Sequence, residues 1–267
     1  MRLKDESIIY ILDLQKSMLP LIYCCANKER LKVLENTFKH YSGKIAFRNN
    51  VFNKDLEKIN TLLIFLDEIN LDDVLDIEKS LIAMNKEEIV LLEANGIDLL
   101  IDKRNLALSI LNRYNINVIK GTHNEIESLI NFQENNEYDK ANKSIQHRYR
   151  NFSRKNNSLL IVKSDNYYIT DGYSEFIIKN SKFYDKKELD TIYTAMIAVS
   201  IGFCRNKGEI VHSILIATIA FYVSQEIAIN NNIFDDELIN YILDEINNVN
   251  IDKIKSYGDI YYCFKGR

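Results

Sequence analysis

Between Pro20 and Val162 the chain repeats one pattern, a short apolar run followed by a longer stretch with helical periodicity. The runs are Pro20-Leu-Ile-Tyr-Cys-Cys25, Lys44-Ile-Ala-Phe47, Thr61-Leu-Leu-Ile-Phe-Leu66, Glu88-Ile-Val-Leu-Leu92, Asn117-Val-Ile119 and Ser158-Leu-Leu-Ile-Val162. They are too short for helices. Runs such as 61–66 do not alternate polar with apolar residues, as a strand with one wet face would. They read as strands covered on both faces, the usual state of a parallel sheet. The intervening segments 28–40, 71–84 and 103–114 carry apolar residues at three- and four-residue spacing, as does 5–17 before the first run. Strands alternating with helices predict a mostly parallel sheet with helices on its faces. After Val162 the pattern changes. Tyr167-Tyr-Ile-Thr170, Asp171-Gly172 and Glu175-Phe-Ile-Ile178 read as a hairpin, so the sheet is expected to end in antiparallel strands. Two helices apolar on nearly all sides, 189–204 and 208–230, are expected inside the molecule, with a last helix at 235–246. The segment 132–155 is polar and helix-prone, and its basic cluster 148–155 reads as the solvated end of a helix. No linker or repeat interrupts the chain, so residues 1–267 are read as one domain.

Composition narrows the function. The net charge is −4, and no long basic stripe offers itself to nucleic acid. The apolar stretch 210–223 carries His212, Ser213 and Thr218 and falls short of the roughly 20 apolar residues of a membrane span. The acidic, periodic start reads as a helix and not as a secretory leader. Four cysteines without a Cys-x-x-Cys pair suggest reduced thiols in a cytoplasm, and the four histidines have no zinc spacing. Glycine is scarce, 8 residues in 267, and no Gly-x-Gly-x-x-Gly or Gly-x-x-x-x-Gly-Lys loop is present. A phosphate-cradling loop of bare backbone, the common nucleotide device, is therefore missing.

One stretch carries candidate chemistry. In Asn117-Val-Ile-Lys-Gly-Thr-His-Asn-Glu-Ile126 a short strand exits through Lys120 and Gly121, and a helix starts at Thr122. Thr122 and Glu125 form a capping-box pattern, in which each side chain satisfies a backbone amide of the other. The same residues also place a cation and a carboxylate at the carboxyl end of a strand, where open α/β sheets bind ligands. On local pattern both readings stand. Glu93 at the end of another buried strand is either a metal-side carboxylate or a plain loop residue. Asp190 is either a base for an alcohol or an ordinary helix-start residue. Asn27 and Asn36 bind a ring substrate or cap their helix. Gly96 serves a turn or a ligand.

The order of elements resembles the hydroxyethylthiazole kinase family of the ribokinase-like superfamily, from about Pro20 to the C-terminus. Pro20-Leu-Ile-Tyr-Cys-Cys-Ala-Asn27 is similar to the family's Pro-Leu-Val-His-x-Ile-Thr-Asn, with Asn36 at a second asparagine. Glu93-Ala-Asn-Gly96 stands at its Asp-Pro-Val-Gly, and Val118-Ile-Lys-Gly-Thr-His-Asn-Glu-Ile126 resembles its Val-Ile-Arg/Lys-Gly-Asn-x-x-Glu-Ile. The hairpin at 167–178 matches a strand pair around Thr-Asp-Gly, and 194–203 resembles the small-residue helix behind the anion hole.

The resemblance implies a three-layer α/β/α fold and transfer of the ATP γ-phosphoryl to a small thiazole alcohol, with magnesium. It also implies a homotrimer with its pocket at a subunit interface. By position, Glu93 and Glu125 would serve the metal. Lys120, Gly96, Lys163 and Ser164 would serve the nucleotide, and Asn27, Asn36 and Phe47 the alcohol. The catalytic place falls on Asp190 or Thr191, depending on register. The departures cluster there. The family's Gly-x-Gly is replaced by residues of Lys186-Lys-Glu-Leu-Asp-Thr191, its Thr-Gly after the fifth strand by Lys163-Ser164, and its opening histidine by Tyr23. Weak or lost turnover is expected, with an inactive binding or partner subunit as the alternative.

Overall fold

The computed structural model describes residues 4–26, 28–47, 59–69, 71–83, 88–133, 144–179 and 186–257. Asn27 falls outside them, as does the side chain of Phe47. In chain order the elements are α1 (Asp5–Ser17), β1 (Leu21–Cys25), α2 (Lys28–His40), β2 (Lys44–Phe47), β3 (Thr61–Phe65) with a short 3-10 turn (Leu66–Glu68), α3 (Leu71–Ala83), β4 (Ile89–Glu93), α4 (Ile101–Arg113), β5 (Val118–Thr122), α5 (His123–Gln133), α6 (Ile145–Asn156), β6 (Leu159–Lys163), β7 (Asn166–Thr170), β8 (Glu175–Lys179), α7 (Lys187–Ile201), α8 (Lys207–Asn230), α9 (Asp235–Asn248) and α10 (Ile251–Tyr257).

Among the described residues one eight-stranded sheet runs in the order β2-β1-β3-β4-β5-β6-β7-β8. The pairs from β2 to β6 are parallel, and β6–β7 and β7–β8 are antiparallel. The unbroken apolar runs are buried along their whole length in β3 and β4, as expected for strands with a helix layer on each face. One face meets α1, α2 and α7 to α10 through a core that includes Ile22, Leu63, Leu91 and Ile161. The other meets α3 to α6 through Leu62, Ile64, Leu92 and Leu160. Alternate residues of one strand thus feed opposite cores.

The two apolar helices lie where the sequence puts them. Twelve of the fifteen residues of α7 are buried. Helix α8 is long and apolar enough to cross a membrane, yet 89% of its most apolar window is buried inside the protein. It packs against α7, α9 and α10.

Two local expectations are revised, and the expected hairpin is present with a loop longer than its Asp-Gly pair. Strand β5 runs on through Lys120, Gly121 and Thr122 instead of ending at Ile119, because it pairs with β6 as far as Lys163. The basic cluster of α6 is not simply solvated. Arg148 is buried and reaches Glu127 at 2.5 Å and Asn131 at 2.7 Å on α5. Asp171-Gly172 does not form a two-residue turn. The loop has four residues, and Asp171 Oδ1 accepts from the amides of Tyr173 and Ser174 at 2.9 and 2.7 Å. Only Gly172 takes positive φ there, at 89°.

A Cβ on Gly172 would lie 2.4 Å from Arg154 Cγ and 3.1 Å from Arg154 N. Backbone strain and this contact add, so Gly172→Ala is expected to lower unfolding free energy by about 1–3 kcal/mol. Urea denaturation measures it.

Candidate functional site: a buried lysine between two carboxylates

The carboxyl ends of β3, β4, β5 and β6 open toward the start of α7. Lys120 on β5 points inward there, 1% exposed. Its ammonium lies 2.8 Å from Glu93 Oε2 on the neighbouring β4, and 3.0 and 3.1 Å from Asp190 Oδ1 and Oδ2 on α7. Lys163, at the end of β6, reaches Asp190 Oδ1 at 3.4 Å. Parallel register explains the first pair, because Glu93 and Lys120 are directly opposed across the ladder. The α7 contribution follows from helical spacing. Asp190 and Thr194 are one turn apart on one face. The Thr194 hydroxyl lies 2.7 Å from Glu93 Oε2 and 2.9 Å from the Asp190 carbonyl, with one proton to give to either. The Tyr193 ring floors the cluster, 5.4 Å from the ammonium.

A buried lysine would ordinarily lose its proton. Burial does press the Lys120 pKa downward, but Asp190 and Glu93 outweigh it and hold the value above normal. Burial likewise opposes ionisation of Asp190, and Lys120 and Lys163 reverse that, so its pKa is lowered. Glu93 goes the other way. Burial raises its pKa to about 7, against the pull of Lys120 and with the help of Asp190. The geometry agrees, since Glu93 Oε1 is buried with no hydrogen-bond partner. Two cations thus serve one firmly ionised carboxylate and one that is half protonated near neutrality.

Glu125 has both oxygens committed. Oε1 accepts from the Gly96 amide at 2.7 Å, and Oε2 from the Thr122 amide at 2.7 Å. The Glu125 amide in turn donates to Thr122 Oγ1 at 3.4 Å, completing the capping box. Gly96 sits at φ 76° in the turn after β4. This one carboxylate therefore ties the β4 exit to the β5 exit and fixes Glu93 and Lys120 relative to each other.

The remaining sequence candidates are dispersed. Thr191 is buried and its hydroxyl turns back to the Lys187 carbonyl at 3.0 Å, so the structure brings Asp190 and not Thr191 to the lysine. Ser164 lies in the β6–β7 turn, with its hydroxyl 3.0 Å from the Asn166 carbonyl. Asn36 is half-buried on α2, six residues past Arg30 and so about 9 Å farther along the helix axis. Arg30 itself, not foreseen from sequence, is buried beside the site. It makes a two-pronged contact with Asp67 at 2.8 and 2.9 Å, meets Glu68 at 3.1 Å and covers the Phe65 ring. Lys187, at the start of α7, reaches the same two carboxylates at 3.6 and 3.9 Å. Arg30, Lys187 and Thr194 carry no motif; the four-residue spacing of Asp190 and Thr194 is the one signal that could have pointed to one of them.

The start of α7 determines what the site can do to an anion. Lys186 provides no side-chain cap. The amides of Leu189 and Asp190 both donate to the Lys186 carbonyl, at 3.1 and 3.2 Å. The Asp190 bond is the first that any α-helix makes, so only the Leu189 amide is turned inward; the amides of Lys187 and Glu188 have no hydrogen bond among the described residues, but no glycine beside them lets a ligand approach the backbone closely. Magnesium fits poorly as a protein-held ion. Among the described residues no group of three or more metal-ligating side chains comes together. Glu125 is taken by amides, and the one free oxygen of Glu93 sits on a carboxylate already paired with an ammonium.

Comparison with known proteins fixes the class first. No protein-family model matches the sequence, and no curated protein does. Solved structures do match, among them hydroxyethylthiazole, pyridoxal and adenosine kinases, so the fold is ribokinase-like. The hydroxyethylthiazole kinase protein from Pyrococcus horikoshii superposes with a TM-score of 0.80 at 16% identity, covering 97% of this chain and 99% of that one. The Staphylococcus aureus pyridoxal kinase solved with AMP-PCP and pyridoxal gives 0.55 at 12% identity, over 78% and 88%. Bacillus subtilis YxkO, described as a putative kinase, gives 0.59 at 10%, over 92% and 97%. The likeness to hydroxyethylthiazole kinase read from the sequence therefore holds at the level of the fold.

The two carboxylates lead to opposite pH effects. Glu93 has a folded pKa above its ordinary value of 4.5, so its contribution is present below that pH and is lost as pH rises through about 7. Asp190 contributes above its ordinary value of 3.8 and is lost only as pH falls below it. Melting temperature should therefore decline between about pH 5 and 8, and Glu93→Gln should flatten that decline. A decline unchanged in the variant would assign it to another group.

Proposed function

We propose that this chain is a hydroxyethylthiazole kinase-like protein that keeps the lysine–carboxylate half of a phosphotransfer site and lacks the glycines of its amide half. The observation that supports it most is Asp190 in the first turn of α7, held ionised by Lys120 and Lys163 at a helix start without glycine. In phosphoryl transfer the protein mainly positions the groups and neutralises developing charge. On this reading Asp190 takes the proton of a small primary alcohol, and Lys120 and Lys163 meet the phosphates of ATP. Magnesium would then arrive on the nucleotide, which suits an ion that prefers phosphates, water and few protein ligands. Asn27, Asn36 and Phe47 remain the proposed substrate side, and Gly96 and Ser164 the proposed nucleotide side. The thiazole alcohol of thiamine synthesis or salvage, the homotrimer and the cytoplasmic setting belong to the same proposal and come from the resemblance and the reduced thiols.

Losing even one preorganised donor of this kind costs about 10²–10³ in kcat. Against ordinary kinase values of about 1–100 s⁻¹, turnover of hydroxyethylthiazole with Mg-ATP is expected to be lower by at least that factor, or absent. Steady-state product formation, read by chromatography with and without Asp190→Asn, tests it. Residual turnover removed by the substitution supports a weak enzyme. No turnover, with a melting shift on adding the alcohol alone, supports a binding subunit on the same fold. Turnover in the ordinary range overturns the loss of the amide half.

A further inference from the structure

A large cavity lies at the opposite end of the sheet, where the parallel strands begin. It measures about 920 Å³ and lies against the starts of β3 to β6 and the α7–α8 connection. That is within the range of about 300–1,000 Å³ usual for small-molecule sites.

Its walls follow one rule. Asn60 and Asn117 each stand immediately before a strand, and both use the side-chain oxygen to extend the sheet. Asn60 Oδ1 accepts from the Leu21 amide at 2.8 Å, and Asn117 Oδ1 accepts from the Val90 amide at 2.8 Å. Asn157, at φ 51° after α6, has its Oδ1 3.4 Å from Lys207 Nζ. In all three the acceptor end is taken by a donor, which fixes the amide orientation and leaves the NH2 group to the cavity. None of these NH2 groups has a hydrogen bond among the described residues. Arg205 adds an exposed guanidinium with no partner among the described residues; its backbone amide donates to Glu209. The one carboxylate on the wall, Glu88, has interactions of its own. The cavity therefore offers donors and positive charge, with few free acceptors.

We propose that this cleft is a second ligand site, separate from the lysine–carboxylate cluster, for the phosphate or pyrophosphate group of a small molecule. Fixed NH2 donors at the edges of a rigid sheet suit a compact oxyanion with several acceptors, and Arg205 is placed to pair with it.

The test titrates 15N-labelled full-length protein with inorganic pyrophosphate at low salt. The side-chain NH2 signals of Asn60, Asn117 and Asn157 are expected to shift and saturate together. Arg205→Glu should weaken binding about tenfold or more, the scale of one charge-assisted contact. Its side chain makes no hydrogen bond or ion pair among the described residues, so an unchanged melting temperature serves as the control. Asp190→Asn should leave the titration unaltered, whatever it does to phosphotransfer. Shifts confined to residues around Lys120, shifts that do not saturate, or saturation indifferent to Arg205→Glu would each overturn the proposal.

Discussion

A protonated lysine with 1% exposure is tolerable only if the protein supplies its counter-charge. Lys120 obtains it from two directions. Glu93 comes from the neighbouring strand and Asp190 from a helix seventy residues farther along. That second contact joins the sheet to the start of α7, the helix at the centre of one core layer. Much else at the carboxyl end is arranged around this ammonium. Glu125 fixes the two strand exits that carry Glu93 and Lys120, Thr194 braces Glu93, and Lys163 balances Asp190.

The same arrangement limits catalysis. All three contacts of the ammonium are carboxylate oxygens, so a phosphate arriving there must compete with them. The helix start that should offer amides turns the Leu189 amide inward and has no glycine to open the approach to the others. The cluster is thus a structural tie and, on the proposed reading, also the remnant of a charge set suited to phosphoryl transfer. The opposite end of the sheet differs in kind. Its asparagines serve the ladder with their oxygens and present their amino groups outward, giving an open, donor-rich cleft instead of a closed, self-neutralised one.

The fold was legible because burial leaves a local signature. Runs such as Thr61 to Phe65 have apolar side chains for both faces, and only a two-sided sheet accommodates that. Much of the site was legible too. Lys120, Glu93 and Asp190 were singled out, though only the structure shows that they touch. Lys163 and Glu125 were placed near it, Glu125 with its capping box. What stayed hidden depends on pairings distant in sequence. Arg30 and Arg148 look like surface charges until Asp67 and Glu127 are seen beside them. The register at 186–191 could not be read, because the choice between Asp190 and Thr191 turns on which side chain faces Lys120. The continuation of β5 to Thr122 was missed because a glycine reads as an exit until its partner strand is known.

The central claim is that Lys120 is charged and held by Glu93 and Asp190. Urea unfolding of Lys120→Met beside the triple variant Lys120→Met, Glu93→Gln, Asp190→Asn tests it most directly. Removing the cation alone strands a buried carboxylate, so a loss of about 3–5 kcal/mol is predicted, with most of it recovered when all three charges are neutralised. A single variant within about 0.5 kcal/mol of the natural protein, the scale of an ordinary surface substitution, would contradict the account.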